Sequence, residues 1–206
     1  MKRKGYMIEK IADMDNLRAA DLEAQAGKVK KNRFIRRHNE HAEDNLHKLQ
    51  QMILNLDFPP PNFTSMEFVS DAGKKRSIIK QSYFPWRILH HAIMRVIGPD
   101  FTKNYIHDTS ACIKGKGLHF GVKRMKMFLR RFPEYKWFVK TDYKKFYESI
   151  PHEVIINALR RKYKDERFIK LIEITILSYN SDIEIALENE KEKRRGNRLL
   201  YKPANG

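Results

Sequence analysis

Residues 137–150 read Trp137-Phe138-Val139-Lys140-Thr141-Asp142-Tyr143-Lys144-Lys145-Phe146-Tyr147-Glu148-Ser149-Ile150. An apolar run that stops at an aspartate and passes at once into aromatic residues could deliver a carboxylate to a divalent cation. Mg²⁺ prefers hard oxygen ligands, shared between one or two carboxylates and substrate phosphates. Two such ions about 4 Å apart activate an attacking hydroxyl and stabilise the leaving oxygen in phosphoryl transfer. The simpler alternative is that Asp142 caps the next helix or sits in a turn. A second constellation is Lys114-Gly115-Lys116-Gly117. Its glycines allow the backbone close to a phosphate chain, or else it is a flexible basic loop. His90 and His91 are adjacent but fall in an apolar helical pattern, which makes them packing residues. The single cysteine, Cys112, excludes an internal disulfide and a Cys-rich zinc site, and reads as a small buried hydrophobe.

Charge is the strongest bulk signal. The chain of 206 residues carries 42 Lys and Arg against 25 Asp and Glu, a formal net charge of +17. Such an excess favours a polyanionic partner, because neutralising phosphates releases condensed counterions. An apolar fraction of 41% is enough for a core. No run approaches the roughly 18 apolar residues that a membrane span needs. The basic start, MKRKGYMIEK, lacks the apolar core of a secretory signal. The expectation is a soluble cytoplasmic protein with no membrane partner.

Several elements must position these residues. A helix is predicted over residues 8–26, and a second over 38–56, where Leu46, Leu49, Ile53 and Leu56 share one face. Between them lies the basic run 28–37, and Pro59-Pro60-Pro61 closes the second helix. Strand-like residues 64–71, a turn at Asp71-Ala72-Gly73 and a second strand KRSIIKQ predict a hairpin. A buried helix over 86–98 is closed by Gly98-Pro99. Residues 104–117 read as a loop and 118–132 as an amphipathic helix with a basic face. An apolar strand over 135–142 leads to the aspartate, and helices begin at Pro151 and span 168–180. The basic runs 28–37 and 123–131 are the candidate nucleic-acid surfaces.

Three blocks resemble bacterial reverse transcriptases. Asp142 through Ile150, with His152 soon after, resembles their first catalytic motif, an aspartate followed by aromatics and Ser-Ile. Tyr83-Phe84-Pro85-Trp86-Arg87-Ile88-Leu89-His90-His91-Ala92-Ile93 is similar to the fingers motif Phe-x-Asp-Arg-(Ile/Leu)-Val-x-His-Ala. Asp108 through His119 resembles the next block, Ser-Tyr-Ala-Cys-Arg-x-Gly-Lys-Gly-Thr-His. The blocks keep the family's order and cover roughly residues 65–180, with the retroelement and diversity-generating enzymes as the nearest group. Trp86 stands where Asp is common, and Ile113 where Arg is common.

The resemblance implies an α+β fold, the fingers and first part of the palm of a right-hand polymerase. Residues 1–63 would form an N-terminal helical, basic region, 64–134 the fingers and 135–195 a partial palm. It implies RNA-directed DNA synthesis with Mg²⁺, or Mn²⁺ in its place. Asp142 would ligate both ions, and the Tyr143 carbonyl would complete one shell. Arg76 would grip the triphosphate, with Tyr147 and Phe146 at the nucleotide and Tyr147 as the aromatic gate. Arg87, Lys114, Lys116, Lys123 and Arg124 would face nucleic acid. The implied partners are an RNA template with primer or guide RNA, deoxynucleotides and, where needed, an accessory protein. The sequence contains no Asp-Asp pair and no Gly-x-x-x-x-Ser-Gln segment, and one carboxylate cannot hold two metals. The chain alone is therefore expected to be inactive, truncated before the Asp-Asp hairpin. The tail 196–206 is atypical; codons exist for it that, read one base later, give Gly-Ile-Gly-Ser-Tyr-Thr-Ser-Gln-Leu-Met-Gly, so a frameshift is the expected cause. The alternative is a non-catalytic RNA-binding protein derived from the fingers.

Overall fold

Asp13 decides how the first helical pattern folds. Its carboxylate accepts from the Asp15 and Asn16 N–H groups, both at 3.1 Å, and so starts a new helix. The single helix predicted over 8–26 is therefore two, α1 (Met7–Ile11) and α2 (Met14–Gln25). Asn32 does the same at 2.9 Å for α3 (Arg33–Asn39), which precedes α4 (Ala42–Asn55). Helix α4 stops at Leu56, which turns left-handed at φ 56°, ahead of the three prolines. The computed structural model describes residues 3–29, 32–69, 73, 75–143 and 146–179; the side chains of 75–77, 147 and 148 lie outside that description, as does the tail 196–206.

The predicted hairpin forms from β1 (Phe63–Val69) and β2 (Lys75–Gln81), antiparallel with Phe63 opposite Gln81 and Val69 opposite Lys75. At the turn, Gly73 has φ 73°, a conformation that favours glycine. A kinked turn over Tyr83–Arg87, with Phe84 in an extended conformation (φ −98°, ψ 138°), leads into α5 (Ile88–Thr102). This helix runs through Pro99 instead of ending at Gly98-Pro99. A proline removes one backbone bond and can bend a helix without terminating it, and past it the Asn104 amide donates to the Asp100 carbonyl at 2.8 Å. The rest are α6 (Leu118–Arg131), α7 (Phe146–Ser149), α8 (His152–Lys162) and α9 (Glu166–Leu177).

The chain divides into two units, Met1–Arg95 with His152 onward, and Val96–Pro151. The first unit owns a core from distant parts of the sequence: Met7, Ile8 and Ile11 from α1, Leu46, Leu49 and Ile53 from α4, Ile88 and Leu89 from α5, and Phe168 and Leu171 from α9, all nearly inaccessible. Trp86 is buried with its ring 5.4 Å from that of Phe58. Asp165 fastens the two ends of this unit. One carboxylate oxygen accepts from the N–H groups of Met7 (2.7 Å) and Ile8 (3.2 Å), and the other accepts from Phe168 N–H at 3.1 Å. A single side chain thus caps α1 and α9. Beside it, Lys4 N–H donates to Lys162 O at 3.0 Å and Lys164 N–H to Lys4 O at 2.8 Å.

In the second unit α6 buries none of its residues. Residues 135–142 form no strand here, contrary to the sequence pattern; Trp137 is 92% and Val139 88% exposed. A strand exists only where a neighbour takes its N–H and C=O groups, and among the described residues none lies alongside. Cys112 is exposed, not buried, in a loop where its φ is 57°. No helix among the described residues is long and apolar enough to cross a membrane.

Asp165→Ala should lower the unfolding free energy by about 2 kcal/mol, since it removes two caps worth about 1 kcal/mol each. Urea denaturation followed by far-UV circular dichroism will measure it. A loss below about 0.5 kcal/mol would mean that the two caps are independent of the fold's stability.

Candidate nucleic-acid interface

Lys28, Arg33 and Arg37 of the basic run face a shared concavity. In the first unit the run meets β2 and the turn before α5 around a cleft of about 1310 Å³. Five cations line it: Lys28, Arg33 and Arg37 from the run, Lys80 from β2, and Arg87 from the end of the turn. No Asp or Glu is among its described lining residues. Four arginines elsewhere in this unit are matched, while among the described residues Arg36 and Arg161 are not. Arg18 makes a forked contact to Glu43 at 3.0 and 3.1 Å, Arg95 pairs with Glu23, Arg160 reaches Glu173 at 3.4 Å, and Arg167 reaches Glu9 at 3.8 Å. Among the described residues no carboxylate reaches Arg33, Arg37 or Arg87.

Like charges crowd in the cleft. Burial and then the Arg87 guanidinium hold the Lys28 ammonium below its usual range. Burial, then His91, then Arg87 press His90 down in the same way. Both histidines are half-buried packing residues, as the sequence pattern indicated. Crowded, unpaired cations raise the local potential and favour an anion in the cleft.

The floor is a buried polar cluster. The Tyr83 hydroxyl donates to the Asp21 carboxylate, and the Gln25 amide donates to the same group at 2.9 Å. His38 Nε2 lies 3.3 Å from Asp21, close enough for attraction but without hydrogen-bond geometry. The other His38 nitrogen faces the Asn45 amide at 3.2 Å, and the ring stacks near Phe84 at 5.9 Å. Burial works to raise Asp21, but the contacts of His38, Tyr83 and Gln25 outweigh it and hold the carboxyl below its ordinary value. Burial and the Asp21 bond push the Tyr83 phenol up, so it remains a donor. The cluster fixes α2, α3 and the turn to one another and so shapes the cleft.

The remaining site residues fall in the second unit or outside the described side chains. Asp142 and Tyr143 are exposed, and the Tyr143 ring lies 6.0 Å from that of Phe146. The side chains of Arg76 and Tyr147 are outside the description. Lys114 and Lys123 are exposed. Lys116 donates to the His107 carbonyl at 2.7 Å and lies 4.9 Å over the Phe120 ring, and Arg124 is paired with Asp108. Among the described residues no three His, Cys, Asp or Glu side chains converge to hold a metal ion. Asp142 by itself does not meet the ligand needs of two Mg²⁺ ions, so these residues do not fit the pair.

Basic residues 28–37 and Arg87 were legible as candidates; Lys80 and the Asp21–Tyr83–His38 cluster were not. No spacing signals the cluster, because Asp21 and Tyr83 are 62 positions apart.

No family model matches the chain. Over 106 residues it is 24% identical to nuclear intron maturase 1, mitochondrial, of Arabidopsis thaliana. The match takes in 50% of this chain and 14% of that protein. The likeness is distant, and the chain spans a small part of that protein's length.

Acid should weaken the fold through Asp21. Its carboxyl binds protons less readily folded than unfolded, so its contribution is complete above the ordinary carboxylate range and disappears as pH falls below about 4 through the lowered pKa. Chemical denaturation from pH 6 to pH 2.5 should show this loss, and Asp21→Asn should flatten the acid limb while lowering stability at neutral pH. An unchanged acid limb in that variant would assign the effect to other carboxylates.

Proposed function

We propose that this chain binds RNA as the front portion of a reverse-transcriptase-like protein, with the cleft of the first unit as its principal contact surface. The observation that carries this reading is the convergence of cations. Five cations from the basic run, β2 and the turn converge on one cleft, and no Asp or Glu is among its described lining residues. A concave surface lined by cations without acids focuses positive potential and favours a polyanion. The distant similarity to an intron maturase supports RNA as the polyanion, and so do the three motif blocks.

Polymerisation is the finer reading. Asp142, with Tyr143, Phe146, Tyr147 and Arg76, would serve RNA-directed DNA synthesis with Mg²⁺ and deoxynucleotides in a protein that also contributes the second carboxylate pair. An α+β fingers-and-palm arrangement belongs to the same reading, and is supported by the hairpin and by the order of the blocks. The 206-residue chain then holds RNA without extending a primer on it.

Fluorescence anisotropy with a labelled RNA, run from 50 to 300 mM salt, tests the binding. With five cations engaged on a single strand, log Kd should rise with log salt at a slope of about 3.5. Primer extension on an RNA template with Mg²⁺, run alongside, should give no product. Absence of RNA binding at 50 mM salt would overturn the proposal. Extension that is lost in Asp142→Ala would show that the chain carries a complete catalytic set.

A further inference from the structure

The cleft is not lined by charge alone. Phe34 stands at its mouth with 61% of its surface exposed, and the Arg33 guanidinium lies 5.0 Å over its ring. Phe84 is half-buried on the floor, stacked near His38, and Ile78 and Ile79 of β2 remain about 40% exposed on the wall. A duplex presents phosphates and sugars to such a groove and keeps its base faces stacked inside. Apolar rings among the cations would then lose water without gaining a contact. An unpaired strand presents both phosphates and open base faces, and each base stacked on an aromatic ring adds affinity independent of sequence.

We propose that the cleft is selective for single-stranded RNA, with Phe34 as a stacking platform for an unpaired base and Arg33, Arg37 and Arg87 tracking the flanking phosphates. This deepens the RNA-binding reading and rests on it. The asparagine cap of α3 fixes the platform: Asn32 accepts from the Phe34 N–H at 2.9 Å, which holds residue 34 in the first turn of the helix. Because α3 begins there, Arg33, Phe34 and Arg37 advance together along one short helix. The His38–Asp21 contact then anchors the far end of that helix in the core. The ring and the two guanidinium groups are thus held on a rigid element, which lowers the ordering cost of binding.

The test uses the full chain and three labelled probes of equal length: an unstructured 12-nucleotide RNA, its blunt duplex, and an abasic strand. The single strand should bind about tenfold tighter than the duplex, and Phe34→Ala should remove about tenfold on that strand, in line with loss of one stacked base. The same variant should leave duplex and abasic binding within about twofold, a change small against one tenfold step. Phe34→Trp should restore the single-strand affinity, and Arg33→Ala with Arg37→Ala should weaken all three probes. Since Phe34 is exposed, circular dichroism of the variants should match that of the parent chain. Equal affinity for strand and duplex, or a single-strand affinity indifferent to Phe34→Ala, overturns the inference while leaving RNA binding itself intact. Failure of every probe to bind overturns the proposed function instead.

Discussion

Everything in the first unit depends on one carboxylate that belongs to two helices at once. Asp165 satisfies N–H groups at the starts of α1 and α9, two elements separated by 158 positions in sequence. Orphan N–H groups at a helix start must find acceptors, and a buried helix end without them is costly. Helix α1 has only five residues and no side-chain cap of its own at Tyr6. It is far too short to be stable alone, so its position is set from outside. With α1 held, Met7, Ile8 and Ile11 enter the core beside α4, and α4 in turn supports the helix that carries the basic run. The cleft is therefore a product of closure between distant segments.

Two kinds of electrostatics coexist in that unit and do different work. Arg18, Arg95, Arg160 and Arg167 are paired on partly exposed surfaces, where water and salt screen each pair. Their effect is confined to the faces they occupy. The cleft cations, left without partners, concentrate positive potential in one concave place. Beneath them the Asp21 carboxylate is engaged by Tyr83, Gln25 and His38 and is not among the cleft's described lining residues. Steering by such a field is strongest at low salt.

Local chemistry was readable in the sequence where it was self-contained. The hairpin followed from β-forming residues around Gly73, and α6 followed from its strong helical periodicity. The basic cleft was half-readable: the run 28–37 announced its charge, but not that β2 and Arg87 would complete a concavity around it. What failed depended on partners. The apolar residues 135–142 have the composition of a buried strand, yet a strand is a relation between two segments and composition names only one. Cys112 was misplaced for the same reason, since burial is decided by neighbours and not by side-chain type. Asp13 was misread as a helical residue although its type suits a cap, because the apolar positions on either side kept helical spacing across the break.

The placement of the two tryptophans has a spectroscopic consequence. Trp86 is 2% exposed in the first unit, and Trp137 is 92% exposed in the second. One indole sits in an apolar setting beside Phe58 and emits to the blue, while the other meets water and emits to the red. A collisional quencher such as iodide, itself an anion drawn to a basic protein, extinguishes the second emitter first. The blue component that survives is then a private signal from the unit that Asp165 closes, and it separates the unfolding of that unit from events around Asp142 without any label.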